Sequence, residues 1–135
     1  MKPFTSHQIA RGFCVVAGGL DFTTGLALVV SPTFTLLRMG AIPPAPELLG
    51  YIRFIGVFVA AVGASYLWAM VRGAAREIRT VLFITLFFRT GVGLYVGIAV
   101  LVAELERAWW VVSATDLTFA AIQGWLLLRG MGRDE

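Results

Sequence analysis

Charged residues and the residues that usually carry catalysis are scarce in this sequence. Only 14% of its 135 residues are Asp, Glu, Lys or Arg, against about 25% in soluble domains. Its single cysteine, Cys14, can form no internal disulfide. Motifs for zinc hydrolysis, dithiol exchange and phosphate binding are absent, as is a nucleophile set of Ser, His and acid. We therefore expect that the chain alone is not an enzyme.

The only histidine is His7, at the start of the first apolar run. A lone histidine there could ligate the metal of a haem or chlorophyll, because neutral imidazole is a common metal ligand. A solvated position at a membrane surface is the interpretation we favour. No other residue pattern indicates a metal site.

Long apolar runs, in contrast, dominate the chain. Hydrophobic residues make up 59% of it, and the mean hydropathy is +0.84. About 20 helical residues cross a hydrocarbon layer, and four runs reach that length: 8–30, 48–71, 81–103 and 108–128. No stretch shows the short alternating segments of an outer-membrane barrel, so the spans should be helices. The sequence predicts one all-α domain, an integral-membrane four-helix bundle.

The distribution of basic residues predicts the orientation of this bundle. Seven Lys and Arg fall on the side of both termini and two on the other side, and short basic loops stay cytoplasmic. We expect a multi-pass protein of the bacterial inner membrane with both termini in the cytoplasm. The same bias accounts for most of the net charge of +3, so the charge does not predict a nucleic-acid partner.

Each apolar run contains one charged residue in its interior: Asp21, Arg53, Arg89 and Asp116. Burying a charge at the bilayer centre costs about 2.5–3.5 kcal/mol on insertion scales, so such residues face the bundle interior and find partners. Helical side chains lean toward their own N-terminus, which brings Arg53 and Asp116 toward one level. The same argument favours Asp21 with Arg89. We predict those two pairs rather than pairs between sequence neighbours.

Small residues accompany these charges at helical spacing. Residues four and eight positions apart share a helix face, and small residues let membrane helices approach closely. The stripes predicted to pack consist of Gly25 in the first run, Gly56 and Ala60 in the second, Gly93 and Gly97 in the third, and Ala120 and Gly124 in the fourth.

Aromatic residues lie near the ends of the runs, where amphipathic rings are enriched at membrane surfaces. We interpret Tyr51, Trp68, Trp109, Trp110 and Trp125 as interface anchors rather than a binding site. The connection SPTFTLLRMGAIPPAPE, residues 31–47, has near its start a proline that ends the first run. Residues 33–40 could form one or two helical turns on the surface.

Two functions are open for the four charges. Intramembrane ionisable groups often mark a proton or ion pathway. Two Asp matched by two Arg also suit a structural lock, because Arg does not release its proton. The lock is the favoured interpretation.

The four runs, the segment RFIGVFVAAVG from Arg53 onward and the basic turn RGAAREIR resemble the DoxX-like family of small four-helix membrane proteins. The resemblance implies a four-helix fold and a role as a subunit of a larger complex, since members have been linked to quinone-dependent sulfur oxidation. No site residue is carried over from it.

These observations predict a non-catalytic accessory subunit of a larger membrane complex, photosynthetic or respiratory. Its partners would be membrane lipids and other membrane-protein subunits, and any cofactor would be a lipid, pigment or quinone on its apolar surface. The alternative is a small oligomeric transporter or channel that uses the Asp and Arg quartet.

Overall fold

The computed structural model describes residues 5–129, which form five α-helices joined by turns. The helices are α1 (Ser6–Val30), α2 (Pro32–Arg38), α3 (Leu49–Arg72), α4 (Ala75–Leu101) and α5 (Trp110–Leu128). Single 3₁₀ turns, Pro46–Leu48 and Arg107–Trp109, lead into α3 and α5. Four of the helices, all except α2, are long and apolar enough to cross a membrane, which indicates a multi-pass membrane protein.

The third long helix begins earlier than the sequence predicts. Its apolar run starts at residue 81, but α4 starts at Ala75, so most of the basic turn is helical. Gly73 ends α3 in the left-handed conformation with φ of 74°, which glycine adopts without steric cost. Ala75, Arg76 and Glu77 then form a first turn readily, because all three have high helix propensity. The change from polar to apolar residues therefore shows where the apolar surface of α4 begins, whereas the helix itself begins earlier.

The connection between α1 and α3 folds over one end of the bundle. Pro32 is the first residue of α2, a position where its missing N–H costs nothing. Leu36 and Ala41 are buried against Leu28 of α1. Glu106, in the turn between α4 and α5, accepts a hydrogen bond of 3.0 Å from the backbone N–H of Ile42. The two connections at this end are thus joined to each other.

Glycines bring α1 and α3 into backbone contact as an antiparallel pair. A Cβ added at Gly56 would lie 2.8 Å from the carbonyl oxygen of Gly25, and one added at Gly25 would overlap the backbone of Ala60. Gly18 faces Gly63 and Tyr66 in the same way. This pair makes the most extensive helix contact in the molecule.

The antiparallel pair of α4 and α5 meets through a second set of glycines. A Cβ at Gly93 would lie 2.8 Å from Leu117 Cγ, and one at Gly97 would lie 2.8 Å from Ser113 Oγ. The Ser113 hydroxyl also donates a hydrogen bond of 2.8 Å to the Gly93 carbonyl. Between the two helix pairs the contacts are fewer, and they surround the polar residues described below.

The bundle exposes many more large apolar side chains than a soluble domain does. Small and polar residues such as Cys14, Ser113 and Gln123 are fully buried, whereas large apolar residues such as Phe54 and Leu128 are 71% and 88% exposed. Soluble proteins rarely expose wide contiguous apolar surfaces. This surface suits a hydrocarbon environment.

The glycine contacts lead to a direct test of the α1 and α3 packing. Gly25→Ala should destabilise the protein by about 1–3 kcal/mol, because backbone atoms of Ala60 cannot yield to the new methyl group. Gly19→Ala is the matched control on the same helix, where a Cβ meets nothing within 4 Å. It should leave the melting temperature unchanged or raise it, since Ala favours helix. Thermal unfolding in detergent measures both, and equal effects would contradict the packing.

Candidate functional site

Arg89 lies at the centre of the molecule, where the two helix pairs meet. Its side chain is 3% exposed and extends from α4 toward α1 and α5. Nη2 donates to Asp21 Oδ2 at 2.5 Å, and Nη1 donates to Asp116 Oδ1 at 2.6 Å. One guanidinium thus joins carboxylates from two other helices. These three residues form what we call the charge cluster.

A neutral hydrogen-bond network continues from the charge cluster into the core. Arg89 Nε donates to the Tyr66 hydroxyl at 3.0 Å, and Gln123 Nε2 donates to the same oxygen at 2.7 Å. Gln123 Nε2 also lies 2.7 Å from Thr85 Oγ1. Each nitrogen of the Arg89 guanidinium therefore has a partner, so α1, α3, α4 and α5 are all joined at this level.

Aromatic rings enclose the guanidinium on its remaining sides. The Arg89 Cζ atom lies 4.7 Å from the centre of the Phe119 ring and 5.4 Å from that of Tyr66. Phe119 in turn meets the ring of Phe13 edge-on, with ring centres 5.4 Å apart. A cation over an aromatic face is attracted to the ring quadrupole, and more strongly where water is excluded. The rings compensate part of the lost hydration of Arg89.

The glycine contacts determine which residues reach Arg89. Gly93 and Gly97 let α5 approach α4 closely. Asp116 of α5 therefore lies opposite Arg89, which is one helical turn before Gly93 on α4. Gly18 and Gly25 flank Asp21 on α1 and hold that helix against α3, beside Tyr66. Small residues near each charge therefore shorten the distances that the charged groups must span.

Arg53 is not part of the charge cluster, and the expected pair of Arg53 with Asp116 does not form. Arg53 is exposed, and its Nε donates to the carbonyl oxygen of Val29 at 3.2 Å. Val29 is in the last turn of α1, where carbonyl groups lack helical partners and the helix dipole favours a cation. Arg53 thus has a partner near its own level, whereas Asp116 lies next to the long fork of Arg89. The pair of Asp21 with Arg89 does form.

With both carboxylates ionised, the charge cluster carries one more negative than positive charge, because two carboxylates share one guanidinium. Each carboxylate uses one oxygen for Arg89. Within residues 5–129 no donor is bonded to the other oxygen of Asp21 or of Asp116, and neither oxygen is buried. The two side chains are 14% and 17% exposed. Both acids thus keep one oxygen accessible.

The other residues singled out in the sequence fall into three groups. Gly25, Gly56, Gly93 and Gly97 lie in close helix contacts, Ala60 contacts Gly25, and Ala120 is buried. Gly124 lies outside these contacts, since a Cβ there would meet nothing within 4 Å. Among the aromatic residues, Tyr51, Trp68, Trp110 and Trp125 are exposed, whereas Trp109 packs against the buried Leu28 and Leu36.

No described residues gather into a metal site: residues 5–129 contain no group of three His, Cys, Asp or Glu placed to hold an ion. His7 is partly buried, with no partner for Nε2 in that range. A surface cavity of about 180 Å³ lies between Trp68 of α3 and residues 76–81 of α4. It shares no residue with the charge cluster.

Sequence reasoning missed Tyr66, Gln123 and Thr85 as parts of the site. Two of them had a detectable signal, because Gln123 follows Asp116 by seven residues and Thr85 precedes Arg89 by four. Both spacings place a polar residue on the face of a charge. Tyr66 had no such relation, because its partner Arg89 is on another helix.

No known protein family, curated protein or solved structure matches the chain. The DoxX-like resemblance therefore rests on the sequence features described above alone.

The charge cluster predicts very different effects for the two in-span arginines. Arg89→Met should destabilise the protein by about 3–5 kcal/mol, because it leaves two largely buried carboxylates without a cation. Arg53→Met is the matched control, and its effect should be much smaller, since Arg53 is exposed and has one carbonyl partner. Folded yield and detergent thermal unfolding measure both, and equal losses would contradict the central role of Arg89.

Proposed function

We propose that the protein is a non-catalytic accessory subunit of a larger membrane complex, of photosynthetic or respiratory type. The observation that carries the proposal is the way Arg89 is held. Two carboxylates, a tyrosine hydroxyl and two aromatic rings hold it in place. A pathway needs groups that release and rebind their cargo, whereas such an Arg stays charged and bonded. The site therefore favours a structural lock over a transport route.

Because the polar side chains of the core bond one another, we expect the function to depend on the outer surface of the bundle. Phe54, Phe87 and Tyr95 are among the large side chains that this surface exposes. Gly12, Gly19 and Gly91 add open notches, since a Cβ there would meet nothing within 4 Å. Inside the bundle, the space beside comparable glycines is occupied by a neighbouring helix. This contrast supports partner helices, with lipid, pigment or quinone in the remaining apolar contacts.

The proposed location is the bacterial inner membrane, with both termini in the cytoplasm. The basic ends of α3 and α4 would then lie on the cytoplasmic side, in agreement with the positive-inside rule. The end covered by α2 would face outward. Arg53 would be near the outer surface, where an exposed cation is less costly than at the bilayer centre.

The orientation can be tested with reporter fusions. A reporter active only in the cytoplasm should work when fused after Glu135 and fail when inserted near Ala45, because the basic residues keep their side inside. Activity in cells expressing each fusion at matched levels is the measurement. The reverse pattern would overturn the proposed topology.

The subunit proposal can be tested in the native membrane. The tagged protein should co-migrate with a much larger assembly at fixed stoichiometry in mild detergent, because its exposed faces need partners. Purified alone and reconstituted in vesicles, it should show no ion or solute flux. Migration as a free chain would oppose the proposal, and flux that disappears with Asp21→Asn would support the transporter alternative.

A further inference from the structure

The two acids of the charge cluster come from α1 and α5, two helices that share few contacts. Arg89 approaches these acids from α4, and Tyr66 of α3 contacts Arg89. Between α1 and α5 contacts are few, and they include the edge-on rings of Phe13 and Phe119. The two acids with an accessible oxygen, Asp21 on α1 and Asp116 on α5, thus belong to the two helices that bound this sparsely packed seam.

Small side chains line this seam beyond the aromatic contact. Thr24 and Ala27 lie on the same face of α1 as Phe13, and Val112 and Thr115 lie on the same face of α5 as Phe119. All four are partly buried. At its edge, Leu20 is 47% exposed beside Asp21. The helix faces that meet at the seam thus carry uncharged side chains around the two acids.

We propose that this seam is the docking site for a membrane-spanning helix of another protein, which inserts one Lys or Arg side chain between Asp21 and Asp116. This inference rests on the proposed subunit function and names the partner chemistry. A single cation would neutralise the surplus charge, and its N–H groups would bond both free carboxylate oxygens. Complementary charge is what fixes register and partner choice at such an interface.

A second copy of the chain does not supply this cation. The basic residues within its apolar runs are Arg11, Arg53 and Arg89, and Arg89 is already bonded. Arg11 lies ten residues and about 15 Å along α1 from Asp21. Arg53 lies at the level of Val29, eight residues and about 12 Å along α1 from Asp21. A two-fold axis along the membrane normal preserves such levels, so Arg53 of one copy stays too far from the acids of the other. A metal ion is also disfavoured, because the seam offers just two free carboxylate oxygens, fewer than hard cations require.

The first arm of the test uses isosteric variants in the native host. Asp21→Asn and Asp116→Asn each keep one carboxylate and one amide oxygen as acceptors for Arg89, so the isolated chain should lose much less thermal stability than with Arg89→Met. Each should nevertheless lower the assembly-bound fraction more than about tenfold, because the partner cation loses one of its two carboxylates. The matched control Tyr95→Phe removes an exposed polar group from α4 and should leave the assembly intact.

Each outcome of this arm is informative. If the wild-type chain runs free, the subunit function itself fails. If the wild type assembles and both Asn variants assemble equally well, the docking inference is overturned, and a proton on one acid is the simpler source of neutrality. Loss of assembly together with a loss of stability as large as that of Arg89→Met in the isolated variant would also overturn it, because the acids would then act through the fold.

The second arm identifies what lies on the seam. A photo-crosslinking residue replaces Leu20 at the seam edge or, as a control, the exposed Tyr95 of α4, in the otherwise unchanged chain. Leu20 should crosslink to a different chain, and mass spectrometry should place the adduct in an apolar span that contains a Lys or Arg. Adducts only with lipid, with a second copy of this chain or with a span lacking a basic residue would overturn the proposal.

Discussion

The fold depends on keeping one guanidinium out of hydrocarbon. Arg89 is nearly fully buried in the middle of a long apolar helix, where an unpaired charge is prohibitively costly. Because Arg does not give up its proton, the surrounding helices must provide acceptors. Asp21, Asp116 and Tyr66 each come from a different helix and meet at this one group. The relative positions of four helices are therefore set by a single side chain.

Close helix approach makes that arrangement possible. A carboxylate side chain is short, so Asp21 and Asp116 reach Arg89 only if their helices lie near the centre of the bundle. The glycines that permit this approach flank the charges on the same faces: Gly18 and Gly25 around Asp21, and Gly93 next to Arg89. Apolar packing drives no association between helices in lipid, so close van der Waals contact and hydrogen bonds must hold the bundle. The glycines and the charge cluster thus depend on one another.

The sequence predicted the long helices, and the four charges it singled out include all three members of the charge cluster, because both follow from local properties of each helix. The apolar length of each run and the spacing of glycines around a charge can be read without knowing the neighbours. The choice of partner could not be read in this way. Arg53 and Arg89 look alike in the sequence, and they differ because one lies beside an open helix end and the other opposite Asp116. Helix boundaries had the same limit, since the basic first turns of α4 are helical although their surface is polar.

The number of charges in the cluster bears on both the stability of the chain and its interactions. If each acid were needed only to neutralise Arg89, one carboxylate would suffice, and the second would add an uncompensated charge at considerable cost. Two carboxylates held by separate nitrogens give Arg89 a symmetric pair of acceptors, but they leave one negative charge and two free oxygens at the seam. Whatever provides the missing positive charge is favoured in the folded state and not in the unfolded one, so it stabilises the fold by mass action. Under the proposed docking, the same residues that hold Arg89 would therefore link the stability of the bundle to the binding of a cation from outside.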